Sequence, residues 1–362
     1  MTKTSDFDFY VPSELIAHEP AVRRDHSRLM VLDRARQTIE HKHFYDIIDY
    51  LNPGDLLVLN DTKVMPANLV GKKEEGGAKV EVLLVASSKG QGARRWECLV
   101  KPGKRLKVGS RVIFGNGEVI GKVLEKTASG EQIIEFTGDL EGYMKRSGEI
   151  PLPPYIKLRN SPPHSPSLNK RGGGQDPLLA GGELAERYQT VYAEKDGASA
   201  APTAGLHFTP ELIKGIRDKG VGVSYVTLHT GLATFKPVYA ENVEEHTMYS
   251  EHYEVPAETI AAVKKAQRVV AVGTTSVRTL EAIASEITTK APRLQGDTNL
   301  FIYPGYRFKV VNAMITNFHW PRTSLVMLVS AFAGKDFIMR AYQEAIERKY
   351  RFFSFGDAML II

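Results

Sequence analysis

The stretch Arg268-Val-Val-Ala-Val-Gly-Thr-Thr-Ser276 contains an apolar run, a glycine and three hydroxyl side chains, in that order. Its apolar half predicts a buried strand, and Val277, Leu280 and Ile283 follow it at helical spacing. The unpaired N–H groups and the dipole at the start of such a helix can hold a carboxylate, to which Arg278 would add a charged fork. The alternative is a plain helix cap with Arg278 in solvent.

The same order of strand, polar loop and helix recurs along the chain, which predicts an α/β fold. Polar loops directly follow strand-like apolar runs at Asn60-Asp-Thr62, at His229-Thr230 and at Asn317-Phe-His319. Because the carboxyl ends of parallel strands meet at one edge of a sheet, we expect these loops to form one cleft. For Asn60, an Asx turn that leads out of the sheet is an equally open interpretation.

A stretch of small residues, Ala200-Ala-Pro-Thr-Ala-Gly-Leu-His-Phe-Thr209, belongs to the same pattern. Gly205 lets the backbone approach a ligand closely, and Thr203 offers a hydroxyl. His207 has the side chain whose ordinary pKa lies nearest neutrality, so this loop can seat a substrate and move a proton. An ordinary tight connection with a packed histidine is the alternative.

Residues 63–149 have a different texture, with short alternating strands separated by turn signals about every ten residues. This predicts a small antiparallel β-barrel inserted into the main α/β domain, which then comprises residues 1–62 and 150–362. The segment 63–149 contains 16 lysines and arginines against 11 acidic residues, so it carries the whole net charge of +5. Its basic clusters predict phosphate contacts, with a solvated surface as the alternative.

Composition excludes several classes of protein. The single cysteine, Cys98, stands in an alternating strand pattern and predicts a core residue in a reducing compartment. The longest apolar run is too short for a membrane span and no signal peptide is evident, so we expect a cytoplasmic protein. The sequence has no P-loop and no serine-elbow motif, and His246, Glu251 and His252 lack metal-site spacing, so no metal site is predicted. Residues 159–186 are rich in Pro, Ser and Gly and predict a flexible loop.

Eight motifs follow one another along the chain. They are His18-Glu-Pro with Arg24-Asp-His-Ser-Arg28, Gly54-Asp-Leu-Leu-Val-Leu-Asn-Asp-Thr62, Pro151-Leu-Pro-Pro-Tyr155, Tyr188-Gln-Thr-Val-Tyr192, Ala200 to Thr209, Val272-Gly-Thr-Thr-Ser-Val-Arg278, Thr316-Asn-Phe-His319 and Tyr350-Arg-Phe-Phe-Ser-Phe-Gly-Asp357. Together they closely resemble the S-adenosylmethionine:tRNA ribosyltransferase-isomerase family of queuosine biosynthesis. The resemblance covers nearly the whole chain and departs from the family pattern at 159–186, which is longer and richer in Gly and Pro.

The resemblance implies an enzyme that uses S-adenosylmethionine as a ribosyl donor, without a prosthetic group. The acceptor is 7-aminomethyl-7-deazaguanine at the wobble position of a tRNA, the product is epoxyqueuosine, and adenine and methionine are released. The family also joins an α/β domain to an inserted β-barrel. We expect a monomer with these two partners and no membrane contact. A tRNA-binding protein without activity and a tRNA methyltransferase are the rival functions.

The sulfonium acidifies the C5′ hydrogens of the donor, so a base near neutrality can start the reaction. We hypothesise His229 or His207 as that base, and Asp61 or His319 as a partner acid or as the group that orients the acceptor amine. Aromatic stacking on a base is expected from Phe208, Phe318 or Trp320, with core packing as the alternative. The expected substrate contacts are Arg24, Arg28, Asn60, Thr62, Thr203, Gly205, Thr230, Gly273, Thr274, Thr275, Arg278, Asn317, Arg351 and Asp357. The expected tRNA contacts are Lys72, Lys73, Arg94, Arg95, Lys104 and Arg105.

Overall fold

The computed structural model describes residues 1–87, 94–127, 130–153, 155–156, 181–231, 237–248, 250–289 and 291–362. Its strands are β1 (Arg28–Asp33), β2 (Thr38–His43), β3 (Asp55–Asn60), β4 (Thr62–Val64), β5 (Asn68–Lys73), β6 (Lys79–Ser87), β7 (Arg95–Lys101), β8 (Arg111–Phe114), β9 (Val119–Lys126), β10 (Gln132–Gly138), β11 (Lys195–Ala198), β12 (Gly222–Leu228), β13 (Glu251–Glu254), β14 (Arg268–Val272), β15 (Gln295–Thr298), β16 (Ala313–Asn317) and β17 (Ala358–Ile361). Its α-helices are α1 (Leu140–Ser147), α2 (Gly181–Arg187), α3 (Pro210–Asp218), α4 (Ala257–Lys265), α5 (Gly273–Ala282), α6 (Ser324–Ala333) and α7 (Lys335–Glu347).

Nine strands form the main sheet in the order β15-β13-β12-β3-β14-β16-β17-β1-β2. The four central strands β12, β3, β14 and β16 are parallel, as their apolar sequences predict. The sheet is mixed rather than wholly parallel, because β17 runs antiparallel to β16 and the outer strands add antiparallel pairs. The expected α/β architecture is confirmed, and the carboxyl ends of the central strands share one edge.

Apolar side chains cover both faces of the sheet. One face packs against α4, α5, α6 and α7, with Val58, Val277, Leu328 and Ile338 fully buried between them. The other face packs against α3 and the short 3-10 helix Phe44–Tyr50. Burial of each such side chain contributes about 1.5–3 kcal/mol, so the two layers hold the edge loops on a rigid support.

The barrel predicted within 63–149 is present. Strands β5 to β10 close into a barrel in the order β10-β7-β6-β5-β8-β9, and its core includes Cys98, which is fully buried. Burial raises the pKa of the Cys98 thiol well above its ordinary value, which keeps it protonated. Strand β4 leads into the barrel and pairs in parallel with β11.

Helix boundaries follow the local chemistry of the sequence. Thr209 caps α3 by accepting from the Leu212 N–H at 3.1 Å, and Pro210 occupies the first helical position. The predicted flexible segment 159–186 ends in a helix, since 181–187 form α2 and Leu184 is buried beside Tyr188. Residues 159–180 lie outside the described residues. No helix in the described ranges is long and apolar enough to cross a membrane.

Candidate active site

A cleft lies at the carboxyl ends of β14 and β16, beside the first turn of α5. It encloses about 560 Å³, including solvent at its mouth. Its lining consists of Tyr155, Ala201, Pro202, Thr203, Ala204, Thr230, Gly273, Thr274, Thr275, Thr316, Asn317, Phe318, His319, Trp320, Leu325, Phe353 and Ser354. Of the three loops expected to converge, those at Thr230 and at Asn317–His319 line the cleft, whereas Asn60–Thr62 contributes no lining residue. None of these lining residues is Asp, Glu, Lys or Arg.

The first turn of α5 forms one wall of the cleft. Gly273 has a φ of +84°, a conformation that glycine adopts without strain, and it lets β14 turn directly into the helix. The first N–H groups of a helix have no partner within it. Thr275 Oγ1 is buried and has no hydrogen-bond partner among the described residues. This turn therefore presents several unmet donors to the cleft, which suits a carboxylate.

Arg278 does not line the cleft. Its side chain is 6% exposed, its guanidinium forms an ion pair with Glu251 of β13, and its Nε donates to the Leu300 carbonyl at 3.1 Å. The sequence predicts a contact between Arg278 and the carboxylate because the residue lies one turn into α5. In the structure this charge joins α5 to the sheet, so the guanidinium of Arg278 is not placed to hold a carboxylate in the cleft.

His319 is the one histidine among the lining residues. Its Nε2 lies 3.1 Å from Thr316 Oγ1, and its backbone N–H donates to the Tyr342 hydroxyl at 3.0 Å. Its Nδ1 is buried without a partner among the described residues. Burial lowers the pKa of His319 to about 3, so the ring is neutral at physiological pH. In a neutral ring, a nitrogen without a partner can donate a hydrogen bond to a ligand or accept one from it, depending on the tautomer.

His207 lies behind the cleft wall. Its Nε2 lies 3.0 Å from Asn317 Nδ2, its Nδ1 lies 2.7 Å from Ser27 Oγ, and its ring stacks on Phe44. Asn317 Oδ1 in turn accepts from Thr203 Oγ1 at 2.9 Å. Burial, with the Arg351 and Arg24 charges, lowers the pKa of His207 to about 3. Both ring nitrogens of His207 form hydrogen bonds within the protein. This geometry does not suit the role of general base that was one of the two alternatives for His207.

His229 lies next to the cleft residue Thr230 but does not line the cleft. Its Nδ1 is 2.8 Å from Thr62 Oγ1, while Asp61 Oδ1 accepts from Thr227 Oγ1 at 2.6 Å. Burial lowers the pKa of His229 and raises that of Asp61. These residues form a polar cluster at the carboxyl ends of β3 and β12, beside the cleft.

Two other expected contacts have structural roles. Asn60 Oδ1 accepts from the Thr62 N–H at 3.2 Å and the Leu228 N–H at 3.1 Å, which is an Asx turn that also joins two strands. Gly205 has no room for a side chain, because a Cβ there would lie 2.0 Å from the Tyr192 hydroxyl. Neither Asn60 nor Gly205 lines the cleft.

The polar residues expected near the two chain ends hold loops together and do not line the cleft. Asp357 is 2% exposed and accepts from the backbone N–H groups of Arg28 and Arg351 at 2.9 and 2.8 Å. The Arg28 guanidinium lies 3.7 Å from the centre of the Tyr350 ring. Arg24 donates to the carbonyls of Arg187 and Leu206, and burial lowers its pKa to about 10.

Aromatic rings form another part of the cleft lining. Trp320 stacks on Phe353 with ring centres 3.7 Å apart, and Tyr155 meets both rings at an angle. Phe318 also lines the cleft, whereas Phe208 belongs to the core. The Phe318 ring is fully buried among core aromatics, so of the expected stacking residues Trp320 is the one placed to meet a flat ring or a cation.

The basic residues of the barrel lie at different places. Lys72 pairs with Lys79 at the start of β6, whereas Trp96, next to Arg95, pairs with Ser87 at its end. Strand geometry separates these positions by about 27 Å at 3.4 Å per residue. Lys72, Arg94 and Lys104 are exposed, and the side chain of Arg105 lies outside the described structure.

Ser199 joins the barrel to the cleft region. Ser199 Oγ donates to the Leu84 carbonyl of β6 at 3.2 Å, and its backbone N–H donates to the Thr230 carbonyl at 2.9 Å. The Arg94–Arg95 end of β7 is thus the end nearer the cleft. Within the described ranges, no group of three or more His, Cys, Asp and Glu residues is arranged to hold a metal ion.

Comparison with known proteins adds independent information. The model of a family described as queuosine biosynthesis protein matches residues 4–361. The chain belongs to this queuosine biosynthesis protein family. Two relatives, from Caldanaerobacter subterraneus subsp. tengcongensis and Halothermothrix orenii, are 51% and 50% identical, over 99% of this chain and their whole length. Both are named S-adenosylmethionine:tRNA ribosyltransferase-isomerase.

A solved structure from Thermotoga maritima, described as S-adenosylmethionine tRNA ribosyltransferase, is also similar. It is 39% identical with a TM-score of 0.53, over 99% of this chain and the whole of that one. Membership of the queuosine biosynthesis protein family, inferred from the motifs, is therefore confirmed.

Sequence reasoning missed several cleft residues of this family member. Tyr155 and Ser354 are hydrogen-bonded to each other at 2.6 Å, and Phe353 has a φ of +73°, which is rare for a bulky residue. All three lie within the recognised motifs Pro151 to Tyr155 and Tyr350 to Asp357. The motifs were the available signal, but nothing local distinguishes their cleft-lining residues from core aromatics.

Proposed function

We propose that this protein transfers and isomerises the ribosyl moiety of S-adenosylmethionine. The acceptor is 7-aminomethyl-7-deazaguanine at the wobble position of a tRNA, and the products are epoxyqueuosine-tRNA, adenine and methionine. In this proposal residues 1–62 and 150–362 carry the chemistry, and the barrel within 63–149 contacts the tRNA. Family membership and the names of the relatives support the reaction.

The composition of the cleft is the observation that supports this proposal at the level of individual residues. S-adenosylmethionine combines a carboxylate, an ammonium, a sulfonium and a flat purine. The unmet donors at the start of α5 suit the carboxylate, and the Trp320–Phe353 stack suits a purine face or the sulfonium. The described lining residues include no Asp, Glu, Lys or Arg. In this proposal the charged groups of S-adenosylmethionine therefore interact with helix dipoles, hydroxyl groups and aromatic rings.

The overall reaction determines how many protons the protein must accept and return. The S–C5′ bond and the bond from the ribosyl unit to adenine break, and their electron pairs leave with methionine and adenine. One hydrogen leaves C5′ and one leaves the acceptor amine as protons, and adenine takes up one proton. The enzyme must therefore accept protons at two points and return one.

His229 and His319 divide these tasks in our proposal. Of the two histidines expected to act as base, only His229 keeps a ring nitrogen, Nε2, without a hydrogen bond within the described residues. We assign His229 to the C5′ proton and the Thr62–Asp61 cluster to its support. The neutral His319 Nδ1 orients the acceptor amine, which must be unprotonated to attack.

One assay tests the proposed function. The protein is incubated with S-adenosylmethionine and tRNA carrying the 7-aminomethyl-7-deazaguanine, and the small molecules are separated. We expect free adenine and methionine in a 1:1 ratio that depends on the tRNA. Release of S-adenosylhomocysteine would indicate a methyltransferase, and release of nothing from a protein that binds tRNA would indicate a binding protein.

A further inference from the structure

The hydrogen-bond chain Ser27–His207–Asn317–Thr203 has a fixed direction. The amide nitrogen of Asn317 can only donate, so His207 Nε2 accepts at 3.0 Å and carries no proton. The proton of the neutral ring is then on Nδ1, which donates to Ser27 Oγ at 2.7 Å. At the other end, Asn317 Oδ1 accepts the hydroxyl proton of Thr203 at 2.9 Å.

This direction determines what Thr203 offers to the cleft. A threonine hydroxyl has one proton and two lone pairs, and its proton is used by Asn317. Within the described residues Thr203 Oγ1 makes no other hydrogen bond. Thr203 lines the cleft, and the lone pairs of its oxygen receive no donor within the described residues, so a ligand in the cleft can supply one.

We propose that Thr203 Oγ1 accepts a hydrogen bond from the α-ammonium group of S-adenosylmethionine, and that His207 is a positioning residue that sets this polarity through Asn317. This inference rests on the proposed function, because it assigns one contact within the proposed donor site. The contact makes the site prefer a ribosyl donor with a zwitterionic amino-acid end over a ribosyl donor that lacks the ammonium group.

The position of Thr203 indicates which hydrogen-bond donor of S-adenosylmethionine it meets, namely the α-ammonium group. A Cβ placed on Gly273 would lie 3.8 Å from the Cβ of Ala204, so the turn containing Thr203 packs against the start of α5. The carboxylate proposed at that helix start carries the ammonium on the adjacent carbon. Among the described lining residues there is no Asp or Glu to pair with this cation, so it needs neutral acceptors, and Thr203 Oγ1 is one that has no donor among the described residues. Burial keeps His207 neutral, which holds the polarity constant across the physiological pH range.

The first test needs neither ligand nor activity. ¹⁵N NMR of histidine-labelled, ligand-free protein reports which ring nitrogen of His207 is protonated. We expect the Nδ1–H tautomer, unchanged between pH 6 and 9, with the assignment made by loss of the signal in His207→Gln. An Nε2–H tautomer would mean that Asn317 is reversed and that Thr203 keeps a free proton, which overturns the inference.

The second test measures binding to the full-length protein by calorimetry. The probes are S-adenosylmethionine and an analogue in which hydrogen replaces the α-ammonium group. We expect Thr203→Val to weaken binding of S-adenosylmethionine about 10-fold to 100-fold, the usual effect of losing a hydrogen bond to a charged group. Binding of the analogue should change less than about twofold, and Thr203→Ser should retain most of the affinity for S-adenosylmethionine.

A matched control separates the contact from a general effect of losing a hydroxyl. Thr259 Oγ1 donates to the Tyr225 carbonyl at 2.7 Å, away from the cleft, so Thr259→Val should leave both affinities unchanged. Equal losses for the two probes in Thr203→Val would show that Thr203 contacts another part of the donor and would overturn the inference. Failure of the unaltered protein to bind S-adenosylmethionine would instead refute the proposed function, while the His207 tautomer would still test the direction of the hydrogen-bond chain.

Discussion

At the scale of single residues, the buried histidines make stability depend on pH. Burial lowers the pKa of both His207 and His319 to about 3, while the unfolded chain protonates near 6.5. Below pH 6.5 the unfolded state therefore binds more protons than the native state. We expect the free energy of unfolding to fall by about 1.4 kcal/mol per pH unit for each histidine, through the window from 6.5 to 3.

Urea unfolding at pH 7.5, 6 and 5 measures this dependence. His319→Gln removes one titrating ring, so we expect about half of the slope due to these two histidines to disappear. Burial raises the pKa of Asp61 and of Asp357, which gives a dependence of opposite sign. Both carboxyl groups are retained in His319→Gln, so the difference in slope between the two proteins isolates the contribution of His319. A stability that is constant from pH 7.5 to 5 would contradict the prediction.

His319 also carries a kinetic prediction. If its Nδ1 orients the acceptor amine, His319→Ala removes an interaction with the acceptor and leaves the donor contacts at α5 in place. We expect adenine release to slow by about 100-fold to 10,000-fold, with the KM for S-adenosylmethionine changed less than about threefold. His246→Ala is the control, since that ring packs on Phe301 outside the cleft. A large rise in the donor KM with kcat unchanged would place His319 on the donor instead.

At the scale of elements, the Arg278–Glu251 pair fixes α5 against β13. Removal of one partner of a buried ion pair leaves the other charge uncompensated and costs about 3–5 kcal/mol. We expect Glu251→Gln to lower the free energy of unfolding by that amount. Asp218→Asn breaks the exposed pair with Lys214 and should cost less than about 1 kcal/mol. Equal stability of the two variants in urea would contradict this role.

The elements themselves were predictable from local sequence. The apolar run of β14, the cap of α3 at Thr209 and the loop pattern at the carboxyl ends of the strands all depend on neighbouring residues. The roles of charged and polar side chains were not predictable. Glu251 lies 27 positions from Arg278, and Asn317 lies 110 positions from His207. A sequence without alignment contains no sign of such distant partners.

At the scale of the whole molecule, the barrel places its two ends at different distances from the cleft. Ser199 bonds both Leu84 of β6 and Thr230 of the cleft, so the Arg94–Arg95 end is the nearer one. Lys79, which opposes Lys72, lies five residues before Leu84, about 17 Å along β6, whereas Ser87, which opposes Trp96, lies three residues after it, about 10 Å. Composition revealed the excess of basic residues, but only strand pairing shows that they do not form one patch.

The nearer end is the one we expect to contact the phosphates of a tRNA whose wobble base occupies the cleft. The double variant Arg94→Ala and Arg95→Ala should weaken tRNA binding and lower the slope of log affinity against log salt by about 1–2, since each lost phosphate contact contributes about 0.7–0.9. Lys72→Ala with Lys73→Ala removes the same charge from the farther end and should have less effect on both quantities. Filter binding at four salt concentrations, with S-adenosylmethionine affinity as a folding control, measures the difference. A larger loss for the lysine variant would mean that tRNA approaches the barrel from the end far from the cleft.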